Sequence, residues 1–249
     1  MFKFFAGFDV NEMLKATIVL FAVIDVIGSI PTILKIKEKT GESLSFTGFV
    51  VYCCARAISE DKHLHAYRDW RNRLILFDDV DISLPVERSG QGQPIVLQTV
   101  IRAANRKSVW EIHREIRELQ TKTLIETPWG RRLRWYVRIP GFFRRLFYRI
   151  VQRMPTVIKG FNGTVLVTSV GMFGAGAGWG VPLPGHTLSL TVGGIESKPV
   201  LINDELQSRE HLCLTVTFDH DIVDGAPAAR FIQRLTALVQ EGAGLDDCP

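Results

Sequence analysis

Acidic residues are absent from positions 127–195, although arginine and lysine recur throughout that stretch. The whole chain carries 30 basic and 26 acidic residues, and its formal net charge of +4 is too mild to indicate a protein that binds nucleic acid. The unevenness of the charge, more than its total, indicates a basic surface that suits an anionic partner.

Cysteine is also scarce, with four residues in 249. Cys53 and Cys54 are adjacent in a predicted helix, where they cannot easily bridge each other, and no spacing typical of a zinc site occurs. A signal peptide with a small-residue cleavage site is not evident. We therefore expect no metal site, a reducing environment and a cytoplasmic location.

Charged residues are almost absent from positions 14–34 as well. A length of about 20 apolar residues fits a membrane-spanning helix. The residues Val-Ile-Gly-Ser-Ile-Pro at 26–31, with the apolar run before them, resemble the first hydrophobic helix of the MarC-type bacterial membrane family. In that interpretation Asp25 would lie near the middle of the bilayer, at a cost of about 2.5–3.5 kcal/mol.

The same region fits a soluble interpretation, which we favour. Residues 19–26 are rich in β-branched side chains and predict a strand. Pro31 then begins a helix over residues 32–39, which Gly41 ends. Nothing later in the sequence looks like a second membrane span.

The size of the chain and its 46% hydrophobic content suit one large α/β domain or two small ones. Alternating apolar residues predict strands, and apolar residues at helical spacing predict helices. The predicted strands lie at residues 79–87, 95–102, 187–195 and 212–218, and the predicted helices at 44–58 and from about 109 to 123. Ser45 or Thr47 caps the first helix, and Ser108 with Glu111 forms a capping box for the second.

The strand predicted at 212–218 leads directly into His220, and a turn centred on Gly225 follows before a further helix. This arrangement places an imidazole at the mouth of a strand-to-helix turn. Histidine has an unperturbed pKa of about 6.5 and can therefore remove a proton near neutral pH. Asp224 is close enough in sequence to brace the turn. In the simpler alternative, His220 ends the strand and Asp224 caps the helix.

The pattern His-x-x-x-Asp-Gly at 220–225, with Asp219 before it and Ala-Pro-Ala-Ala-Arg-Phe after it, resembles the catalytic signature of the chloramphenicol acetyltransferase-like superfamily. It most resembles the catalytic domain of dihydrolipoyl acyltransferases of 2-oxo acid dehydrogenase complexes, over about residues 23–239. The resemblance implies an α/β fold, an α+β two-layer sandwich with a mixed sheet and covering helices. Residues 19–243 would form this domain, after an extension at 1–18 and before a tail at 244–249.

A second match is the segment Gly-Thr-Val-Leu-Val-Thr-Ser-Val-Gly at 163–171. The resemblance implies that Thr168 supplies a hydroxyl to the oxyanion of the tetrahedral intermediate, although a β-branched residue in a strand is also ordinary there. It assigns substrate binding to Ser169, Gly225 and Trp179, with Trp179 anchoring a glycine-rich loop at 174–180. The family usually has an upstream arginine that pairs with the motif aspartate. Here no arginine precedes Arg56, which leaves the partner of Asp224 open.

Residues 127–160 depart from the family pattern and predict an insertion. Arginines alternate there with aromatic residues, at positions 131, 132, 134, 138, 144, 145, 149 and 153. On a helix, Phe143, Leu146, Phe147 and Ile150 share one side, which arginines flank. The segment is either a patch for an acidic carrier protein, a CoA phosphate or a membrane surface, or a helix packed on the domain with solvated arginines.

The resemblance implies a CoA-dependent acyltransferase, in which neutral His220 takes the proton of a thiol or hydroxyl acceptor. It implies no covalent enzyme intermediate, acyl-CoA as a substrate, and a homotrimer with its site between subunits. A lipoylated domain or a carrier protein is the expected acceptor. Two other classes stay open: a non-catalytic binding or scaffold module of the same fold, and a membrane-associated protein anchored by residues 14–34.

Overall fold

The computed structural model describes residues 19–27, 44–89, 94–121, 139–151, 154–171, 178–182, 185–202 and 204–246. The helix predicted at 32–39, the extension at 1–18, and most of the loop at 174–180 and of the insertion before residue 139 lie outside these described residues.

The described strands are β1 (Val19–Ile27), β2 (Tyr67–Arg68), β3 (Leu74–Ile75), β4 (Ile82–Ser89), β5 (Pro94–Ile101), β6 (Val165–Ser169), β7 (Leu188–Ile202) and β8 (Glu205–Asp219). The described helices are α1 (Phe46–Ser59), α2 (Val109–Thr121), α3 (Gly141–Val151), α4 (Pro155–Asn162) and α5 (Gly225–Glu241), with short 3-10 turns at Lys62–His65 and Ala104–Arg106.

One mixed sheet organises the molecule, with the strand order β1-β8-β7-β6-β4-β5, while β2 and β3 pair separately as a two-residue ribbon. The pairs β4–β6 and β6–β7 are parallel, and the other pairs of the large sheet are antiparallel. Parallel neighbours need long crossover connections, and the chain from β5 to β6 supplies one that contains α2, α3 and α4.

Helices cover one face of this sheet. α1 packs against α2 and α5, α2 contacts β4, and α5 contacts β1. Alternate residues of the central strands, such as Leu190 and Leu214, point into the same core as Phe49 of α1 and Leu235 of α5, and all four are fully buried. The expected two-layer α/β sandwich with a mixed sheet is confirmed.

The N-terminal strand is also confirmed, and it excludes a membrane helix over the same residues. β1 pairs with β8 along its whole length, from Val19 opposite Asp219 to Ile27 opposite His211. Its backbone is therefore extended and hydrogen-bonded within the sheet. Among the described helices, none combines the length and the apolar character that crossing a bilayer requires.

Two boundaries differ from the prediction for identifiable reasons. β4 begins at Ile82, later than expected, because residues 80 and 81 bond to the turn after β5: Ala104 N donates to Val80 O at 2.8 Å, and Ala103 N donates to the Asp81 carboxylate at 2.9 Å. β7 and β8 are both 15 residues long and extend beyond the predicted strands as one hairpin. The pairs of its outer half, such as Leu201 with Leu206, are exposed.

Candidate active site

The turn between β8 and α5 holds His220 in a tight hydrogen-bonded frame. The Asp219 carboxylate accepts a hydrogen bond from Asp221 N at 3.0 Å, and its carbonyl accepts from Ile222 N at 3.0 Å and Val223 N at 2.9 Å. Burial raises the pKa of the Asp219 carboxyl, and the nearby Asp221 charge adds to that rise, while the hydrogen bond from Asp221 N opposes it. Asp219 thus holds the backbone of the turn on which His220 lies, and the His220 side chain is half-buried.

Asp224 and Gly225 lie beside His220 in this turn. Asp224 occupies the N-cap position of α5, but its side chain makes no capping hydrogen bond and is exposed, so the simpler alternative, in which Asp224 caps the helix with its side chain, is wrong. Its carbonyl accepts from Ala228 N at 3.1 Å. A side chain at Gly225 would meet no atom within 4 Å, which leaves open space next to the turn.

An arginine that the sequence did not single out reaches the same turn. Arg68 Nη2 donates to Asp221 O at 2.6 Å, and its Nη1 lies 3.8 Å from the Asp221 carboxylate. The two residues are 153 positions apart, so no local pattern could have linked them.

Thr168 and Ser169 lie at the other end of the site region, where β6 finishes. Both are half-buried, and Thr168 is paired with Thr191 of β7. Trp179 lies near the end of the loop at 174–180. It is 46% exposed, and the Lys198 ammonium lies 5.7 Å from its ring centroid. This contact is a surface cation–π pair. Because most of the loop at 174–180 lies outside the described residues, the anchoring role of Trp179 stays a prediction.

Hydroxyl side chains line the sheet face that points away from the helices, and of these Thr168 was singled out from the sequence, but those on β7 and β8 were missed. Thr168, Thr191 and Thr215 form one row across β6, β7 and β8. The hydroxyls of Thr191, Thr215 and Ser189 are buried without a hydrogen-bond partner among the described residues. The available signal was the alternation of Ser or Thr with Leu or Val at 188–192 and 214–218.

The sheet register keeps Thr168 and His220 apart within one chain. Asp219, next to His220, lies four residues beyond Thr215 on β8, or about 14 Å along the strand. β6 and β8 are separated by β7, which adds two strand spacings, about 10 Å. The backbone positions of Thr168 and Asp219 are therefore about 17 Å apart. One reacting carbonyl cannot contact both side chains of the same chain.

Other reactive groups of the described residues fit structural roles. Burial raises the pKa of the Cys54 thiol to about 12 and raises that of the Cys53 thiol further, so neither is a nucleophile near neutral pH. Within the described ranges, no cluster of three histidine, cysteine or acidic side chains could hold a metal ion.

A sequence model of the 2-oxoacid dehydrogenases acyltransferase (catalytic domain) family matches residues 11–127 and 157–245. The chain belongs to this family of acyltransferase domains. The interval that the match omits, 128–156, lies within the arginine-rich segment.

Two curated relatives have the same character. The chain is 24% identical, over 208 residues, to the dihydrolipoyllysine-residue succinyltransferase component of the mitochondrial 2-oxoglutarate dehydrogenase complex of Saccharomyces cerevisiae, covering 83% of this chain and 38% of that protein. It is 23% identical, over 220 residues, to the dihydrolipoyllysine-residue acetyltransferase component of the pyruvate dehydrogenase complex of Zymomonas mobilis, covering 86% and 43%. The chain therefore spans less than half the length of either relative.

Solved structures agree with the fold. The dihydrolipoamide acetyltransferase of Azotobacter vinelandii superposes with a TM-score of 0.66 at 20% identity, covering 95% of this chain and 87% of that one. A chloramphenicol acetyltransferase superposes with a TM-score of 0.51 at 12% identity, covering 92% of both chains. The acyltransferase domain thus has the chloramphenicol acetyltransferase-like fold that the resemblance implied.

Proposed function

We propose that this domain transfers an acyl group between coenzyme A and a thiol or hydroxyl acceptor, with His220 as the general base. The observation that carries the proposal is the position of His220, in a hydrogen-bonded turn at the end of β8 of an acyltransferase-family domain. Open space beside Gly225 gives a substrate access to this turn.

The chemistry needs only a base and an oxyanion donor. Neutral His220 accepts the proton of the acceptor as its sulfur or oxygen attacks the thioester carbonyl. The tetrahedral intermediate collapses as the carbon–sulfur bond to CoA breaks, and the imidazolium returns the proton to the CoA thiolate. The Thr168 hydroxyl donates to the oxyanion, a contribution of about 3–4 kcal/mol for one such donor.

The site is shared between chains in this proposal. The roughly 17 Å between the backbones of Thr168 and Asp219 supports a site in which His220 of one subunit faces Thr168 of a neighbour. A closed cyclic trimer provides three such sites. In the Azotobacter vinelandii enzyme, the catalytic roles of a serine, a histidine and an asparagine have been examined, at separations of 52 and 4 residues. Thr168, His220 and Asp224 have the same separations.

The remaining predicted residues take supporting roles. Ser169, beside Thr168, and Trp179 line the part of the site that binds the acyl group or the pantetheine of acyl-CoA. Gly225 keeps the His220 turn open to the acceptor. Asp224 is assigned to holding the turn through the backbone, because its carbonyl accepts the Ala228 amide.

The acceptor is proposed to be an acidic lipoylated domain or carrier protein, bound by the arginine-rich segment. α3 exposes Phe142 by 73% and Phe143 by 58%, and Arg145 beside them is exposed. None of the described side chains of α3 belongs to the hydrophobic core. This exposure argues against a helix that is simply packed on the domain, and charge complementarity favours an acidic partner.

His220→Ala tests the catalytic proposal. The variant should lose acyl transfer while it keeps its fold by circular dichroism and its affinity for CoA by calorimetry. Unchanged activity in the variant would remove His220 as the base. A wild-type protein that neither transfers acyl groups nor binds CoA would support the non-catalytic scaffold instead.

Charge reversal tests the acceptor. Reversal of Arg144, Arg145 and Arg149 to glutamate should weaken use of an acidic carrier acceptor more than use of acyl-CoA, and most strongly at low salt, because exposed charges mainly steer encounter. A matched reversal of three exposed arginines elsewhere, at positions 56, 71 and 209, controls for net charge. Equal kinetics in both triple variants would leave a small thiol or alcohol as the acceptor, and a screen of lipoamide, carrier proteins and small alcohols would identify it.

A further inference from the structure

Four consecutive residues at 65–68, here called the strap, bond to three places in the large sheet and its loops. The bonds are His65 Nδ1 with Thr164 Oγ1 at 3.1 Å, Thr187 Oγ1 donating to Ala66 O, Tyr67 OH donating to Gly163 O at 2.9 Å, and Arg68 Nη2 donating to Asp221 O at 2.6 Å. The strap therefore ties the starts of β6 and β7 to the turn that follows β8.

The strap is rigid up to Arg68. His65, Ala66 and Tyr67 are buried, and the Tyr67 ring packs edge-on against Phe77 with centroids 6.0 Å apart. Because three buried residues with three tertiary hydrogen bonds precede it, the backbone of Arg68 has a fixed position. A group that binds the Arg68 guanidinium is therefore held in place relative to the large sheet.

Arg68 binds the residue that follows His220. Asp221 is held from two sides: its amide donates to the Asp219 carboxylate at 3.0 Å, and its carbonyl accepts from Arg68 at 2.6 Å. A hydrogen bond from a charged guanidinium is stronger than a neutral one. His220 lies between Asp219 and Asp221, and the hydrogen bonds of these two residues hold its backbone from both sides, which sets the point from which the imidazole projects.

We infer that Arg68 is a positioning residue for His220, acting through Asp221. This inference rests on the proposed function, because the orientation of His220 matters for catalysis only if His220 is the base. Arg68 reaches both the carbonyl and the carboxylate of Asp221, at 2.6 Å and 3.8 Å.

Kinetics of Arg68→Ala and Arg68→Lys test the inference, with Arg73→Ala as the matched control. Arg73 directly precedes β3 of the β2–β3 ribbon. Its guanidinium pairs with the Asp69 carboxylate at 2.8 Å, away from the turn that carries His220. Arg68→Ala should lower kcat by about tenfold to a hundredfold, since misplacing a catalytic group has costs of that order. KM for acyl-CoA should change less than twofold. Arg68→Lys should recover part of kcat, and Arg73→Ala should keep all of it.

A spectroscopic measurement separates this inference from the proposed function. The imidazole resonances of His220, assigned with His220→Ala, should move in Arg68→Ala and stay in place in Arg73→Ala. If the wild type shows no acyl transfer but these resonances move, the proposed function fails and the positioning contact stands. If kcat and the resonances of Arg68→Ala match the wild type, or if Arg73→Ala loses kcat equally, the inference is wrong.

Discussion

At the scale of single residues, burial decides which polar groups are reactive. His65 is buried, and its pKa falls to about 4 because burial disfavours the charged ring and the Lys159 charge adds to that effect. The ring is therefore neutral and bonds to the Thr164 hydroxyl. His220, half-buried at a turn, stays accessible to solvent and substrate. Both histidines lie close to strands, and only the fold separates their roles.

His65 should make the fold less stable in acid. An unfolded histidine has a pKa of about 6.5, so between about pH 6.5 and 4 the unfolded chain binds more protons and stability falls as pH falls. The wild type should lose about 2 kcal/mol more than His65→Gln between pH 7 and pH 5. Urea unfolding of both proteins at the two pH values measures the difference. Equal losses in the two proteins would show that His65 does not titrate as described.

Thr168 should matter for rate through its hydroxyl alone. Thr168→Val keeps the shape of a half-buried strand residue but removes the donor, so kcat should fall by about 100-fold to 1,000-fold. Thr168→Ser keeps the donor and should retain most of kcat. Thermal unfolding of both variants should stay close to the wild type. Full activity in Thr168→Val would assign the oxyanion to another donor.

At the scale of elements, the sequence pattern predicted helix caps and strands correctly where neighbouring residues determine them. Ser45 caps α1 by accepting a hydrogen bond from Gly48 N at 3.2 Å. The strands predicted at 95–102 and 212–218 are present, and the first ends at Ile101. Boundaries failed where distant groups decide them, as at Asp81, which bonds to the turn after β5 instead of extending β4. Residues 205–210 of β8 were missed because an exposed strand lacks the apolar alternation that marks a buried one.

The capping box of α2 gives a prediction at this scale. Ser108 N donates to the Glu111 carboxylate at 2.7 Å, and Glu111 N donates to Ser108 Oγ at 3.2 Å. Ser108→Ala removes this cap and should lower the free energy of unfolding by about 1 kcal/mol. Ser59→Ala, at the exposed end of α1, loses only a hydrogen bond to Arg56 O and should have little effect. Chemical denaturation that finds equal effects would refute the role of the box.

At the scale of the whole molecule, strand order could not be read from the sequence. β1 lies beside β8, although most of the chain separates them, and α5 contacts β1. The position of His220 after a predicted strand followed from the local pattern, and the role of Thr168 followed from the family resemblance. The separation of about 17 Å between the backbones of Thr168 and Asp219 follows only from the register of three paired strands, and it supports the proposed site between chains.

An interface site makes two inactive variants complement each other. His220→Ala chains keep Thr168, and Thr168→Val chains keep His220, so a mixed trimer contains some interfaces with both groups intact. Random mixing should restore about a quarter of the sites. Co-expressed, doubly tagged protein should therefore show far more activity than either variant alone, and light scattering should find a trimer. A monomer at micromolar concentration, or a mixed assembly with no more activity than its parents, would place both residues outside one shared site.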